Sequence, residues 1–210
     1  MFGIVNFGTF IIAGILLNLT PGTDTMYTLG NSMSKGKQAG FMAALGIGAG
    51  SLVHTMFATF GLSVILAESA LAFNVVKYLG AAYLVYLGVK SLLSRGSMPT
   101  EVSDQQPKEK TRKVFFSAIL TNVLNPKVAL FYLAFLPQFI NPSYANPVFS
   151  FLVLGITFTL TGTLWCLMLA AYASKLSTKI QQNSHVKVWF DRLTGAVFIG
   201  LGLKLAIAEK

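Results

Sequence analysis

Side chains that carry chemistry are scarce in this chain. Cysteine occurs once, at Cys166, so neither a disulfide nor a Cys-pair redox centre forms within one copy. Histidine occurs twice, too few for a histidine metal cluster. Asp and Glu together number only 7 of 210 residues. The Gly-x-Ser-x-Gly nucleophile elbow and the Gly-x-x-x-x-Gly-Lys-Ser/Thr phosphate loop are both missing. These absences argue against an enzyme, a redox carrier and an ATP-driven machine, and neither a cofactor nor a resident metal is expected. Strand-length alternation is also missing, which speaks against a β-barrel.

Apolar sequence fills the space left. The chain is 54% hydrophobic and 11% charged, with mean hydropathy +0.65. A helix that crosses a bilayer needs ~20 mostly apolar residues. Six such runs are expected, at 3–21, 41–66, 70–92, 114–140, 148–173 and 187–207. The expected class is therefore an all-α integral membrane protein whose surroundings are the lipid bilayer. The first run has no basic n-region and no small-x-small site after it, so it reads as a span and not as a cleaved signal peptide.

The net charge of +9 resembles that of a nucleic-acid binder, but its placement argues for topology. Lys35 and Lys37 lie between the first two runs. Lys90, Arg95, Lys108, Lys110, Arg112 and Lys113 surround the third connection, and Lys175, Lys179, Lys187 and Arg192 the fifth. The connections near 67–70 and 141–147 hold no Lys or Arg. The positive-inside rule then places the basic connections in the cytoplasm and both termini outside. Lys77 is a mild exception, and no nucleic-acid partner is expected.

The two halves align in order. Thr20-Pro21 matches Asn125-Pro126. Leu45-Gly46-Ile47 matches Leu154-Gly155-Ile156, and Lys77-Tyr78-Leu79-Gly80-Ala81 matches Arg192-Leu193-Thr194-Gly195-Ala196. Three spans per half is odd, so the second half must be inverted relative to the first. This is the plan of secondary transporters whose site lies at the repeat interface near the midplane. The expected division is a first repeat at 1–93, a polar cytoplasmic linker at 94–113 and a second repeat at 114–210, with helices one and four broken at Pro21 and Pro126.

Those breaks hold the candidate site. Proline removes a backbone donor and clashes with the preceding turn, and lipid cannot satisfy the groups so freed. After Pro21 and Gly22, a second short helix is expected from Thr23 or Asp24 to about Met33, its N-terminus suited to a carboxylate. Three roles stay open for Asp24: helix cap, counter-charge to an ammonium, or proton carrier. Lys127 falls near the centre of span four, where a cation costs ~2.5–3.5 kcal/mol or more and must face a cavity or partner. It reads as a carboxylate anchor or as an ion-pair mate of Asp24, and less readily as a snorkelling lysine. Asn122 and Asn125 either contact a solute or re-satisfy the broken backbone. His54, in mid-span two, is either a proton relay or a neutral histidine bonding a facing helix. The Gly46 to Gly50 spacing reads as close helix packing.

Asn18-Leu19-Thr20-Pro21-Gly22-Thr23-Asp24-Thr25 resembles the opening signature of the LysE/RhtB superfamily of lysine, homoserine and threonine exporters. Ala43 to Ile47 with Leu52-Val53-His54, Leu79 to Leu84 with Leu87-Gly88, and Asn125-Pro126-Lys127 with Phe135 to Phe139 are similar to its later motifs. The family's common form has a second proline where this chain has Thr23. The resemblance implies amino acid export across the bacterial inner membrane, driven by an ion gradient. The substrate-binding candidates are Pro21, Gly22, Thr23, Asp24, Asn122, Asn125 and Lys127, with Asp24 and His54 as candidates for coupling to a proton or sodium gradient. A fixed Lys127 charge favours a neutral amino acid such as threonine, homoserine or leucine. Export of basic amino acids or of metal cations is the alternative. The residues leave a homodimer open.

Overall fold

The computed structural model describes residues 3–20, 22–62, 111–141, 144 and 147–182, with single positions or pairs between 74 and 93 and between 192 and 207. Among these residues the protein is helical and contains no strand; an isolated bridge joins Ile4 and Ile140. Helix α1 is Phe7–Leu19, α2 is Thr23–Lys35 and α3 is Lys37–Phe57, which runs on through a π-helical turn at Ala58–Leu62. Helix α4 is Thr111–Val123. Helix α5 is Pro126–Leu130, prolonged by a π-helical turn at Phe131–Phe135 and a 3-10 turn at Leu136–Phe139. Helix α6 is Pro147–Gln182.

Two of these helices are long and apolar enough to cross a membrane, Lys37–Gly61 with 25 residues and Pro147–Ala173 with 27. A third span results if Thr111–Val123 and Pro126–Phe139 are one element, bent by 48° at the break. Helix α1 is apolar but shorter, at 13 residues. The expected spans at 70–92 and 187–207 fall largely outside the described residues, as do Pro21 and most of the linker at 94–113. The positions that are described there, Tyr78, Leu79, Ala81 and Gly195 among them, are helical.

The surface pattern is what a bilayer demands. Exposed apolar residues recur every fourth position along α6, at Ile156, Leu160, Leu164, Met168 and Tyr172, and α3 shows Leu45, Leu52 and Met56. The polar residues Thr28, Ser51, His54, Thr55, Asn122 and Asn125 are buried instead. An apolar stripe at helical spacing turned outward, with polar groups turned inward, suits a lipid surround.

Helix α3 sits at the centre because its small residues let its neighbours approach. A Cβ on Gly46 would collide with the Phe115 carbonyl and Ala118 on α4, and one on Gly50 would lie 2.8 Å from the Asn122 Cβ. On the opposite side, Gly48 meets Thr163 and Thr55 meets Gly155 on α6. Gly36 turns the chain from α2 into α3 at φ +89°, a conformation only glycine adopts readily. At one end, Phe10, Phe131, Phe135, Phe139 and Phe158 form an aromatic cluster, with Phe131 and Phe158 stacked at 4.4 Å and Phe10 edge-on to Phe139 at 5.3 Å. Beyond it, Val5 donates to the Phe139 carbonyl and Asn141 to that of Gly3, tying the start of α1 to the end of the α5 segment.

Candidate functional site

Each proline break leaves one carbonyl without its usual helical donor, because the proline nitrogen that would bond the residue four places earlier carries no hydrogen. For Pro21 that residue is Leu17, and for Pro126 it is Asn122. Each accepts a backbone N–H from three residues on, Thr20 to Leu17 at 3.2 Å and Asn125 to Asn122 at 3.0 Å, and each takes a further bond from a side chain elsewhere in the fold. The Lys127 Nζ donates to the Leu17 carbonyl at 2.9 Å and to that of Thr20 at 3.0 Å. The His54 Nε2 bonds the Asn122 carbonyl at 3.1 Å. A carbonyl only accepts, so Nε2 is the protonated ring nitrogen of His54. The ring also stacks on Tyr132, centroid to centroid 5.5 Å.

The first break forms as a residue before proline requires. Thr20 is extended, at φ −65° and ψ 121°, and its hydroxyl donates back to the Leu16 carbonyl at 2.8 Å. The second break is capped conventionally: Asn125 precedes α5 and its Oδ1 accepts from the Lys127 amide at 3.1 Å.

Asp24 is not the cap of α2. Gly22 holds that position with no side-chain cap, and Asp24 lies in the first turn. Its two carboxylate oxygens take amide hydrogens from across the second break, Oδ2 from Asn122 Nδ2 at 2.8 Å and Oδ1 from Asn125 Nδ2 at 3.1 Å. Asp24 and Lys127 therefore belong to separate sets of partners, and no ion pair joins them among the described contacts. The junctions are reciprocal: the acid after the first break is held by amides of the second, and the cation after the second by carbonyls of the first.

Between the junctions is a cavity of about 30 Å³. Leu17, Asn18, Gly22, Asp24, Asn122 and Lys127 line it on one side, and the Thr159 to Cys166 stretch of α6 closes the other. That volume admits one or two waters and is too small for an amino acid. The aromatic cluster abuts it through Phe158, which lines the cavity and stacks on Phe131. A buried hydroxyl layer lies nearby, where Tyr132 meets Thr55 at 3.0 Å and Thr159 at 3.3 Å.

The family model for LysE type translocators matches residues 15–209. The chain belongs to the LysE type translocator family. An uncharacterized membrane protein of Bacillus subtilis, YrhP, is 34% identical over 206 residues, covering 95% of this chain and 97% of the relative. An uncharacterized membrane protein of Pseudomonas aeruginosa is 33% identical, covering 98% and 97%. The leucine efflux protein of Salmonella typhimurium is 29% identical over 212 residues, covering 99% and 98%. No solved structure matches the chain.

In this LysE type translocator, the structure gathers Gly22, Asp24, Asn122, Asn125 and Lys127 around one cavity. Thr23 heads α2 but does not line the cavity, His54 reaches it only through the Asn122 carbonyl, and Pro21 lies outside the described residues. The wall on α6 was not anticipated. Its signal was there in the apolar run: Gly155, Thr159, Gly162 or Thr163, and Cys166 recur at helical spacing and mark a small and polar face.

Proposed function

We propose that this translocator is a secondary active exporter of small neutral amino acids, of the leucine, threonine or homoserine type, across the bacterial inner membrane. The observation that carries the reading is the reciprocal junction of two broken helices around a cavity with one carboxylate and one ammonium, in a chain of the LysE type translocator family. The efflux relatives, named for leucine, favour that substrate among the three.

On this reading the chain is a 3+3 inverted repeat, with spans one and four broken at Pro21 and Pro126, a cytoplasmic linker at 94–113 and both termini outside. The substrate binds between the junctions after they part, since the cavity as it stands is too small for it. Its carboxylate is drawn to Lys127 and the uncapped start of α2, and its ammonium to Asp24. The aromatic cluster around Phe131 serves as the outer barrier. A neutral zwitterion is favoured over lysine because exporting a net positive charge against an inside-negative potential costs ~2.3 kcal/mol per 100 mV. Inward proton flow supplies the drive, with Asp24 or His54 as carrier.

The test is efflux from cells preloaded with labelled leucine, threonine, homoserine and lysine in parallel, with and without an uncoupler. Accelerated export of one neutral amino acid that stops with the uncoupler is the expected result. Accelerated export of lysine alone would replace the neutral-substrate reading with the basic one. No acceleration for any of the four, with the protein present in the membrane, would overturn amino acid export and move the search to metal cations.

A further inference from the structure

Helix α2 is built unlike its neighbours. The side chains it buries are all polar, Thr28, Asn31 and Ser32, whereas α1 buries Phe10, Ala13 and Leu17. Asp24, Thr28, Asn31 with Ser32, and Lys35 follow one another at helical spacing and form one stripe. One end of the stripe is at the cavity, which Asp24 and Thr25 line. The other is the basic turn from Lys35 to Lys37. Eleven steps of about 1.5 Å make the stripe ~16 Å long, half of a ~30 Å hydrocarbon core. Polar groups are expensive at that depth, and a stripe of them leading to a cavity marks a route that water and solute follow in another state of the protein.

Little holds α2 in place. The Ser32 hydroxyl donates to the Ala170 carbonyl on α6 at 2.8 Å, and the Tyr27 hydroxyl to the Val114 carbonyl on α4 at 3.2 Å. Water satisfies these groups once they part, so each bond is worth little net. The half-buried Tyr27 ring fits between small residues, Ala43 and Ala44 on α3 and Val114 and Ala118 on α4. Gly22 and Gly36 stand at the two ends of α2, Gly36 at φ +89°, so the half-helix swings as one piece between two glycines. The phenylalanine cluster around Phe131, by contrast, interlocks four segments of the opposite end.

We infer that α2 is the inner gate of the exporter, and that its Thr28, Asn31 and Ser32 face lines the path by which the amino acid enters the cavity from the side of the Lys35 to Lys37 turn. This rests on the exporter reading, which supplies the solute and places that turn in the cytoplasm. Swinging α2 parts Tyr27 from Val114 and Ser32 from Ala170. Cys166, in the cavity wall, is one helical turn from Ala170, so the same motion joins the cavity to that side. Between Lys35 and Asp24 the face carries hydroxyls and one amide, which hydrogen-bond both ends of a zwitterion and hold neither. Asp24 rides on the same helix, so opening the gate also draws its carboxylate from the Asn122 and Asn125 amides and frees it for an ammonium.

Cys166 is the sole cysteine of the chain and lines the cavity, so it reports on the gate in the native protein. Its modification by a membrane-impermeant, anionic methanethiosulfonate is timed in everted vesicles, which present the cytoplasmic face, and in right-side-out vesicles. Wild type is compared with Tyr27→Phe and Ser32→Ala, each of which removes one hydroxyl bond of the gate. Modification about three- to tenfold faster from the everted side is expected in both variants, the worth of one neutral hydrogen bond, with the right-side-out rate not raised. A merely structural loosening would quicken both sides alike. Equal acceleration from both sides, or an unchanged everted rate in both variants, would overturn the gate. Should Cys166 prove unreactive in every preparation, Ser32→Cys becomes the reporter. Reaction from the everted side is then expected, and reaction only after denaturation would overturn the gate as well. Uptake of labelled amino acids by the same everted vesicles judges the exporter reading separately. Wild type that carries none of leucine, threonine and homoserine overturns that reading and the solute assigned to the path, while the cysteine rates alone decide the gate.

Discussion

The Lys127 ammonium and the Leu17 carbonyl lie 2.9 Å apart, 110 residues distant in sequence. Helix α1 ends at Leu19, so the Leu17 carbonyl takes only the Thr20 N–H from its own backbone and accepts Lys127 as well, and α5, which opens with Pro126, presents that lysine. A cation inside a helical bundle is thereby held by backbone carbonyls at the end of a neighbouring helix.

Removing that cation tests the junction. Lys127→Ala is expected to leave membrane insertion and abundance near normal and to abolish efflux. Detergent-solubilised protein should melt earlier, by about 1–3 kcal/mol, because the Thr20 carbonyl loses its donor while Leu17 keeps the Thr20 N–H. Export at the wild-type rate would eliminate Lys127 from the transport site.

The Asp24 contacts allow a swap. In Asp24→Asn, an amide meets two amides whose N–H groups already point at it, so efflux should fall at least tenfold and thermal stability should drop. The double variant Asp24→Asn with Asn122→Asp restores a donor facing an acceptor and keeps the total charge. It should recover most of the lost stability in a melting assay. Additive losses in the double variant would mean that the Asn122–Asp24 bond is not what the single change broke.

His54 joins a structural bond to a titratable ring. His54→Gln retains an N–H donor for the Asn122 carbonyl and removes the titration. Normal abundance is expected, with efflux that no longer responds to an imposed proton gradient. An unchanged response would assign the proton to Asp24.

Glycine positions separate packing from conformational freedom. Gly46→Ala drives a methyl into the Phe115 carbonyl, so a loss of about 1–3 kcal/mol and a reduced monodisperse fraction in size-exclusion chromatography are expected. Gly30→Ala, in α2 with open space where a Cβ would stand, should instead stabilise by roughly 0.5–1 kcal/mol.

Much of this site was legible because membrane burial makes certain residues conspicuous. Asn-Pro inside an apolar run stands at the 48° bend between Thr111–Val123 and Pro126–Phe139, Thr-Pro falls between the end of α1 at Leu19 and the start of α2 at Thr23, and a lysine at mid-span has few innocent explanations. The second span, at 41–66, appears as Lys37–Gly61, and the helix after the first break ends at Lys35 instead of near Met33. What could not be read was which cation the carbonyls take. Proline chemistry pointed to freed carbonyls near Leu17 and Asn18 as acceptors for an ammonium or a cation, and opposite charge offered Asp24 as a mate for Lys127; the fold puts Lys127 on the carbonyls of Leu17 and Thr20 and Asp24 on the two asparagine amides. Which of these partners meet is a long-range matter that local sequence does not carry.

Reciprocity of the two junctions also sets an order of events in the life of the chain. When the ribosome has made the chain as far as α3, the Thr20 carbonyl and the Asp24 carboxylate already exist, but Asn122, Asn125 and Lys127 do not. The early helices must wait with those two groups unmatched, and the later segment supplies the matches. Until then the polar groups are open to whatever else the membrane offers.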